Sequence, residues 1–179
     1  FERAIDCYQK VIEIDDINEY AHLGLGLSYY SLEKYESAIF YLEKLIKLDP
    51  QHGDAYYYLG LSHQRSQNLV LADEALSRAL AISPLNSSFL HAKAELMYNL
   101  KNYPAAIETY QALVKIEPQN ATGWYDLACC YALQDRLDSA LDNLRKAIEL
   151  EPDKLKNSAR TDADFALLHD NELFKNLVT

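Results

Sequence analysis

LIKLDP, residues Leu45–Pro50, returns three times along the chain, as ALAISP at Ala79–Pro84, LVKIEP at Leu113–Pro118 and AIELEP at Ala147–Pro152. The four closing prolines stand 34 residues apart. Self-similarity at a fixed period of this size signals stacked supersecondary units rather than one globular core. Counting back from each proline sets units at residues 19–52, 53–86, 87–120 and 121–154.

Laid over one another, the units agree where side-chain volume matters. The eighth position holds Gly26, Gly60, Ala94 and Ala128, and the twentieth holds Ala38, Ala72, Ala106 and Ala140. Larger residues recur around them at helical spacing in two runs, for example Leu23, Leu27 and Tyr30, then Ile39, Leu42, Leu45 and Ile46. A polar break such as SLEKY, Ser31–Tyr35, parts the runs. Each unit therefore reads as two antiparallel helices whose small residues let the backbones approach. Proline ends the second helix, because it carries no amide donor and clashes with the preceding turn. A lone pair cannot bury its apolar face, so consecutive pairs share a core. The fold class is all-α.

The same frame disposes of a chemical reading of AHLGLGLSYY, Ala21–Tyr30. Gly24, Gly26 and Ser28 look like a loop that cradles a phosphate. Such a loop needs its glycines ahead of the helix and a lysine after them. Neither Gly26 nor Gly60 is followed by one. Gly26 is a packing residue, as its counterparts in the other units are.

In this pattern of small and large residues the sequence resembles the tetratricopeptide repeat family. WYDLACCY, Trp124–Tyr131, carries the resemblance best, with Trp, Leu, a small residue and Tyr in the expected order. The third unit departs from the pattern at Lys93, where a leucine is usual, and at Leu90. The resemblance implies a right-handed superhelical solenoid of antiparallel helix pairs. It also implies that the second, fifth, sixth, ninth, twelfth and thirteenth positions of each unit face a concave groove where partners bind.

Tyrosine is abundant, with 14 in 179 residues. Seven fill aromatic slots of the repeat: Tyr8, Tyr29, Tyr35, Tyr56, Tyr103, Tyr110 and Tyr131. Six others, Tyr20, Tyr30, Tyr57, Tyr58, Tyr98 and Tyr125, fall on the implied groove positions. They share that face with Leu23, Leu27, Leu61, Arg65, His91, Glu95, Asn99, Asp126 and Cys129. Tyrosine couples a large apolar face to one hydroxyl, which suits recognition surfaces. The expected ligand is an extended peptide or amphipathic helix of a protein partner. The alternative is that these tyrosines pack on one another along a narrow superhelix.

Family members that grip the C-terminal carboxylate of chaperones place lysine, asparagine and arginine at fixed groove positions. Here those slots hold Leu23, Leu27, Tyr58, Ser88 and Ala92, or, one unit on, Tyr57, Leu61, Ala92, Thr122 and Asp126. An acidic tail would find no charge partners there.

Charge narrows the function classes further. The net charge is -10 and the pI about 4.9, so a polyanion such as nucleic acid is repelled. Lysines and arginines are scattered rather than grouped, and no apolar run is long enough to span a bilayer. The five histidines, among them His63 in a core slot, show no metal-ligand spacing. Cys129 and Cys130 are neighbours on a helix, where a disulfide would be strained. Cys130 is expected to pack inward and Cys129 to face the groove. No cofactor, metal or catalytic group is expected, and three cysteines without a disulfide framework point to a reducing, cytoplasmic compartment.

The two ends differ from the units. FERAIDCYQKVIEI, Phe1–Ile14, is the second helix of a repeat whose first helix is missing, within a segment 1–18. Its face of Ala4, Ile5, Tyr8, Val11 and Ile12 is expected to be partly bare. Repeats upstream, or a second copy of the chain forming a homo-oligomer, would cover it. Residues 155–179 leave the frame, since a fifth unit would put Phe174 in the small-residue slot. Phe165, Leu168, Phe174 and Leu177 read instead as short helices capping the array, with Asp162 or Asp164 and Asp170 as helix caps. The phrase DADFALLHDNELFKNL resembles a tail that often follows such arrays in bacterial proteins. The sequence therefore reads as a non-catalytic interaction scaffold. A self-assembling structural module and the interaction arm of a larger enzyme or assembly factor are the alternatives.

Overall fold

The computed structural model describes residues 1–179 as eleven α-helices and one 3₁₀ helix. The chain divides into two compact units, residues 1–92 and 93–179.

The N-terminal unit contains α1 (Glu2–Ile14), α2 (Glu19–Ser31), α3 (Tyr35–Leu48), α4 (Gly53–Arg65), α5 (Leu69–Ile82) and the start of α6 (Ser87–Asn99). Helices α1 to α5 each pack on the next along the chain, and α2 also touches α4. Consecutive hairpins therefore bring first helices side by side. Ala38, Leu42, Leu45, Ala55, Leu59 and Ala75 form a buried core between them. The eighth-position glycines sit close against leucines of the neighbouring second helices. A Cβ on Gly26 would lie 2.7 Å from Leu42 Cγ, and one on Gly60 would lie 2.7 Å from Leu76 Cγ. Space, not loop conformation, selects these glycines.

The C-terminal unit holds the rest of α6, then α7 (Tyr103–Ile116), α8 (Ala121–Ala132), α9 (Leu137–Leu150), α10 (Pro152–Thr161), a 3₁₀ helix (Ala163–Leu168) and α11 (Glu172–Val178). Here α7 packs on α8, α8 on α9 and α9 on α10, the 3₁₀ helix lies on α8, and α11 packs on α10 and α9. Pro50, Pro84 and Pro118 each follow a helix that has already ended, at Leu48, Ile82 and Ile116. Pro152 differs: it opens α10 at the first helical position, where a missing amide costs nothing.

Four residues spaced like the prolines cap the first helices. Asn18 Oδ1 accepts from the Ala21 amide at 3.0 Å, His52 Nδ1 from Ala55 at 3.2 Å, Asn86 Oδ1 from Ser88 at 3.0 Å, and Asn120 Oδ1 from Gly123 at 2.8 Å. Each satisfies an amide that the helix itself leaves unpaired. The turn inside each unit is equally regular. Glu33, Gln67, Lys101 and Asp135 adopt φ of 58°, 63°, 58° and 56°, one per unit, although none is glycine.

The tail is packed as expected in part. Phe165, Leu168 and Phe174 are buried, but Val178 takes the inward place expected of Leu177, which is half-buried. Asp162 caps the 3₁₀ helix by accepting from the Asp164 amide at 3.0 Å. Helix α11 is capped by Asn171, which accepts from Leu173 and Phe174, and not by Asp170. His63 takes the core slot that the repeat frame gives it. It is buried, yet its Nδ1 meets no partner, and burial lowers its pKa against an opposing pull from Glu43.

Candidate partner groove

Of the expected groove residues in the N-terminal unit, four come together in one depression. Leu23 and Leu27 of α2 face Tyr57 and Tyr58 of α4 across a cavity of about 320 Å³. Buried Phe89 also lines it, and Asp54, Asn86 and Ser88 supply the polar rim. The rings of this region pack against one another. Tyr57 stacks on Phe89 with centroids 5.0 Å apart and meets Tyr58 edge-on at 5.0 Å. Tyr30 stands edge-on to Tyr58 at 5.8 Å and to Tyr35 at 5.8 Å. The tyrosines thus pack on one another and on Phe89 while Tyr57 and Tyr58 also line the cavity. Phe89, Asp54 and Ser88 belong to this site although the sequence reading did not name them among its groove residues. Asp54 and Ser88 occupy the second position of their units, a slot the repeat frame already marked.

The remaining expected residues of this unit lie elsewhere. Tyr20 is 85% exposed and is not among the residues that line this cavity. Leu61 and His91 are half-buried and Arg65 is exposed.

In the C-terminal unit the chain's own tail covers part of the corresponding surface. Tyr98, Tyr125 and Cys129 were expected to face an open groove. Instead they meet residues 162–165 of the same chain. Tyr125 donates to Asp162 Oδ2 at 2.7 Å, and Tyr98 donates to Asp164 Oδ2 at 2.5 Å. Phe165, wholly buried, stands edge-on to Tyr125 at 5.6 Å. Tyr125 and Cys129 are buried as a result, whereas Asp126 is half-buried and Glu95 and Asn99 are exposed.

Electrostatics in this pocket follow from burial beside two carboxylates. Tyr98 and Tyr125 have their pKa raised, first by desolvation and then by hydrogen bonds to Asp164 and Asp162. Cys129 is raised by desolvation and by the same two carboxylates, and Cys130 is pushed up to about 12, chiefly by desolvation. Both thiols are protonated and poor nucleophiles. Cys129 Sγ and the carboxylates of Asp162 and Asp164 lie within 4.8 Å of one another, a grouping that the sequence spacing did not reveal. Each carboxylate there already takes a tyrosine hydroxyl, which spreads its charge without a cation.

Comparisons with known proteins agree with this architecture. Residues 31–113 match the family described as anaphase-promoting complex, cyclosome, subunit 3, and residues 121–154 match the tetratricopeptide repeat. The general transcriptional corepressor ssn6 of Schizosaccharomyces pombe is 33% identical over 79 residues, which make up 42% of this chain and 7% of that protein. The crystal structure of MamA has a TM-score of 0.80 and 28% identity, covering 85% of this chain and 89% of that one. YrrB, described as a TPR protein with an unusual peptide-binding site, has a TM-score of 0.81 at 18% identity, over 97% of this chain and 90% of its own. With a repeat period, helix-pair packing and structural likeness all in accord, the chain is a tetratricopeptide-repeat protein.

Proposed function

We propose that this protein is a non-catalytic interaction scaffold that holds a segment of a protein partner in the groove of its N-terminal unit. The observation that carries this reading is the contrast between the two units. Tyr98 and Tyr125 are satisfied by the chain's own tail, whereas the cavity between Leu23, Leu27, Tyr57 and Tyr58 is open. Apolar floors with a few polar rim groups are what short peptide segments dock into. The sequence expectation of one long groove is thereby narrowed to residues 19–92.

The test is capture from the source cell extract by the full chain and by a Tyr57→Ala/Tyr58→Ala variant, followed by titration of each captured protein in purified form. A partner whose affinity falls at least tenfold in the variant, while melting curves show both chains folded, supports the groove. Equal affinity for both chains overturns it.

A second reading rests on the N-terminal end. Phe1, Ile14, Ile17 and Tyr20 are 69%, 88%, 65% and 85% exposed, although Ile5 of α1 is buried against α2. These exposed apolar side chains, at both ends of α1 and at the start of α2, fit contact with a second copy, and light scattering across a concentration series tests it: a mass that stays monomeric removes it. The three free cysteines, two of them buried, fit a reducing compartment such as the cytoplasm. No helix is long and apolar enough to cross a membrane.

A further inference from the structure

We infer that the groove of the N-terminal unit selects a basic, apolar segment: a lysine or arginine set beside a large aliphatic or aromatic residue. This rests on the reading of that groove as a partner site and adds the chemistry of the partner. The cavity floor, formed by Leu23, Leu27, Tyr57 and Tyr58, is apolar and aromatic. The one charged side chain on its rim is the exposed carboxylate of Asp54, in the first turn of α4, and neither lysine nor arginine lines the cavity. Around it, residues 1–92 carry seven Lys and Arg against thirteen Asp and Glu. A cation entering this groove gains attraction from Asp54 and from the unit as a whole, and an anion is repelled by both.

The aromatic geometry favours the same partner. Tyr57 and Tyr58 meet at 72° and thus form a corner of two rings. A guanidinium or ammonium seated in such a corner lies over a ring face while its aliphatic stem covers Leu23 or Leu27. The chain already uses this contact elsewhere: Arg136 lies 4.5 Å from the Tyr131 ring centroid and Lys146 4.3 Å from that of Trp124. The filled site of the C-terminal unit shows the opposite selectivity. There two tyrosine hydroxyls donate to the carboxylates of Asp162 and Asp164, and Phe165 supplies the apolar anchor.

A phage-displayed library of random octapeptides, selected on the full chain and counter-selected on Tyr57→Ala/Tyr58→Ala, tests the inference. Selected peptides are then synthesised and titrated against the parent and against Asp54→Asn, a surface change that leaves the fold intact. The expected result is groove-dependent peptides with Lys or Arg next to Leu, Ile, Phe or Met. Their affinity should fall about two- to fivefold in Asp54→Asn, the scale of one exposed ion pair. It should fall again when salt rises from about 50 to 500 mM, as screening predicts. Groove-dependent peptides that are neutral or acidic, or indifferent to Asp54→Asn, overturn the inference and leave the groove standing. A selection that yields no groove-dependent peptide overturns both.

Discussion

Glycine at one position in each unit should stabilise this protein, although it removes a side chain every time. Glu33, Gln67, Lys101 and Asp135 hold φ between 56° and 63°. Each sits just past a first helix, where the next amide bonds back across the last turn. Lys34 donates to Tyr29 O at 2.9 Å, Asn68 to His63 O at 2.8 Å, Asn102 to Met97 O at 2.9 Å, and Arg136 to Tyr131 O at 3.0 Å. This six-to-one closure forces the residue before it into the left-handed region, which glycine usually occupies. An L-residue pays roughly 1–2 kcal/mol there. Glycine escapes that cost but loses about 0.5–1 kcal/mol through the greater freedom of its unfolded chain. The net gain is about 0.5–1 kcal/mol per site, with Asp135 lowest because aspartate tolerates this region better. The sites recur once per unit and share no hydrogen-bond partner, so their effects should add. The quadruple variant should gain about 2–4 kcal/mol, a rise of roughly 5–15 °C in melting temperature for a chain of this size. Urea unfolding of Glu33→Gly, Gln67→Gly, Lys101→Gly and Asp135→Gly, each paired with the alanine change, provides the assay. Alanine keeps the Cβ and so should give no gain. Glycine variants no more stable than their alanine partners at all four sites would refute the reasoning, because the backbone would then carry no strain to release.

Three further outcomes follow from the packing. Phe165→Ala empties a wholly buried ring site and should cost about 3–5 kcal/mol; an unchanged urea midpoint would mean that the tail is no part of the core. Burial lowers the His63 pKa below 6.5, so the unfolded chain binds the proton more readily. Its contribution to stability is intact above pH 6.5 and is lost as pH falls through the folded pKa. Between about pH 7 and 5, His63→Gln should therefore lose less stability than the parent, and parallel losses would remove the claim. Cys7 is exposed, whereas Cys129 and Cys130 are buried with raised pKa. Iodoacetamide should modify one thiol in the native chain and three in urea; rapid labelling of a second thiol would show that the tail does not seal α8.

What the sequence disclosed and what it hid divide along one physical line. A packing constraint that recurs in every unit leaves a periodic trace, which is why Gly26, Gly60, Ala94 and Ala128 are legible as helix contacts in the sequence alone. The helix caps Asn18, His52, Asn86 and Asn120 left the same trace, and so did the left-handed residues. They escape a reading by residue type, because His52 is an unusual cap and none of Glu33, Gln67, Lys101 and Asp135 is the glycine that such turns prefer. Both signals were available at the repeat period. The filling of the C-terminal groove was not. Tyr125 meets Asp162 across 37 residues and Tyr98 meets Asp164 across 66, and the segment that supplies the carboxylates lies outside the repeat. Periodicity says which positions share a face, but what rests on that face depends on a segment with no counterpart in the other units. The N-terminal groove is the complementary case. Its residues are legible at groove positions, yet the selectivity proposed for it turns on Asp54, where the next two units have Ser88 and Thr122. A change at a single position of the repeat is invisible to an argument built on what the units share, and such departures are where one unit of an array acquires a partner that its neighbours refuse.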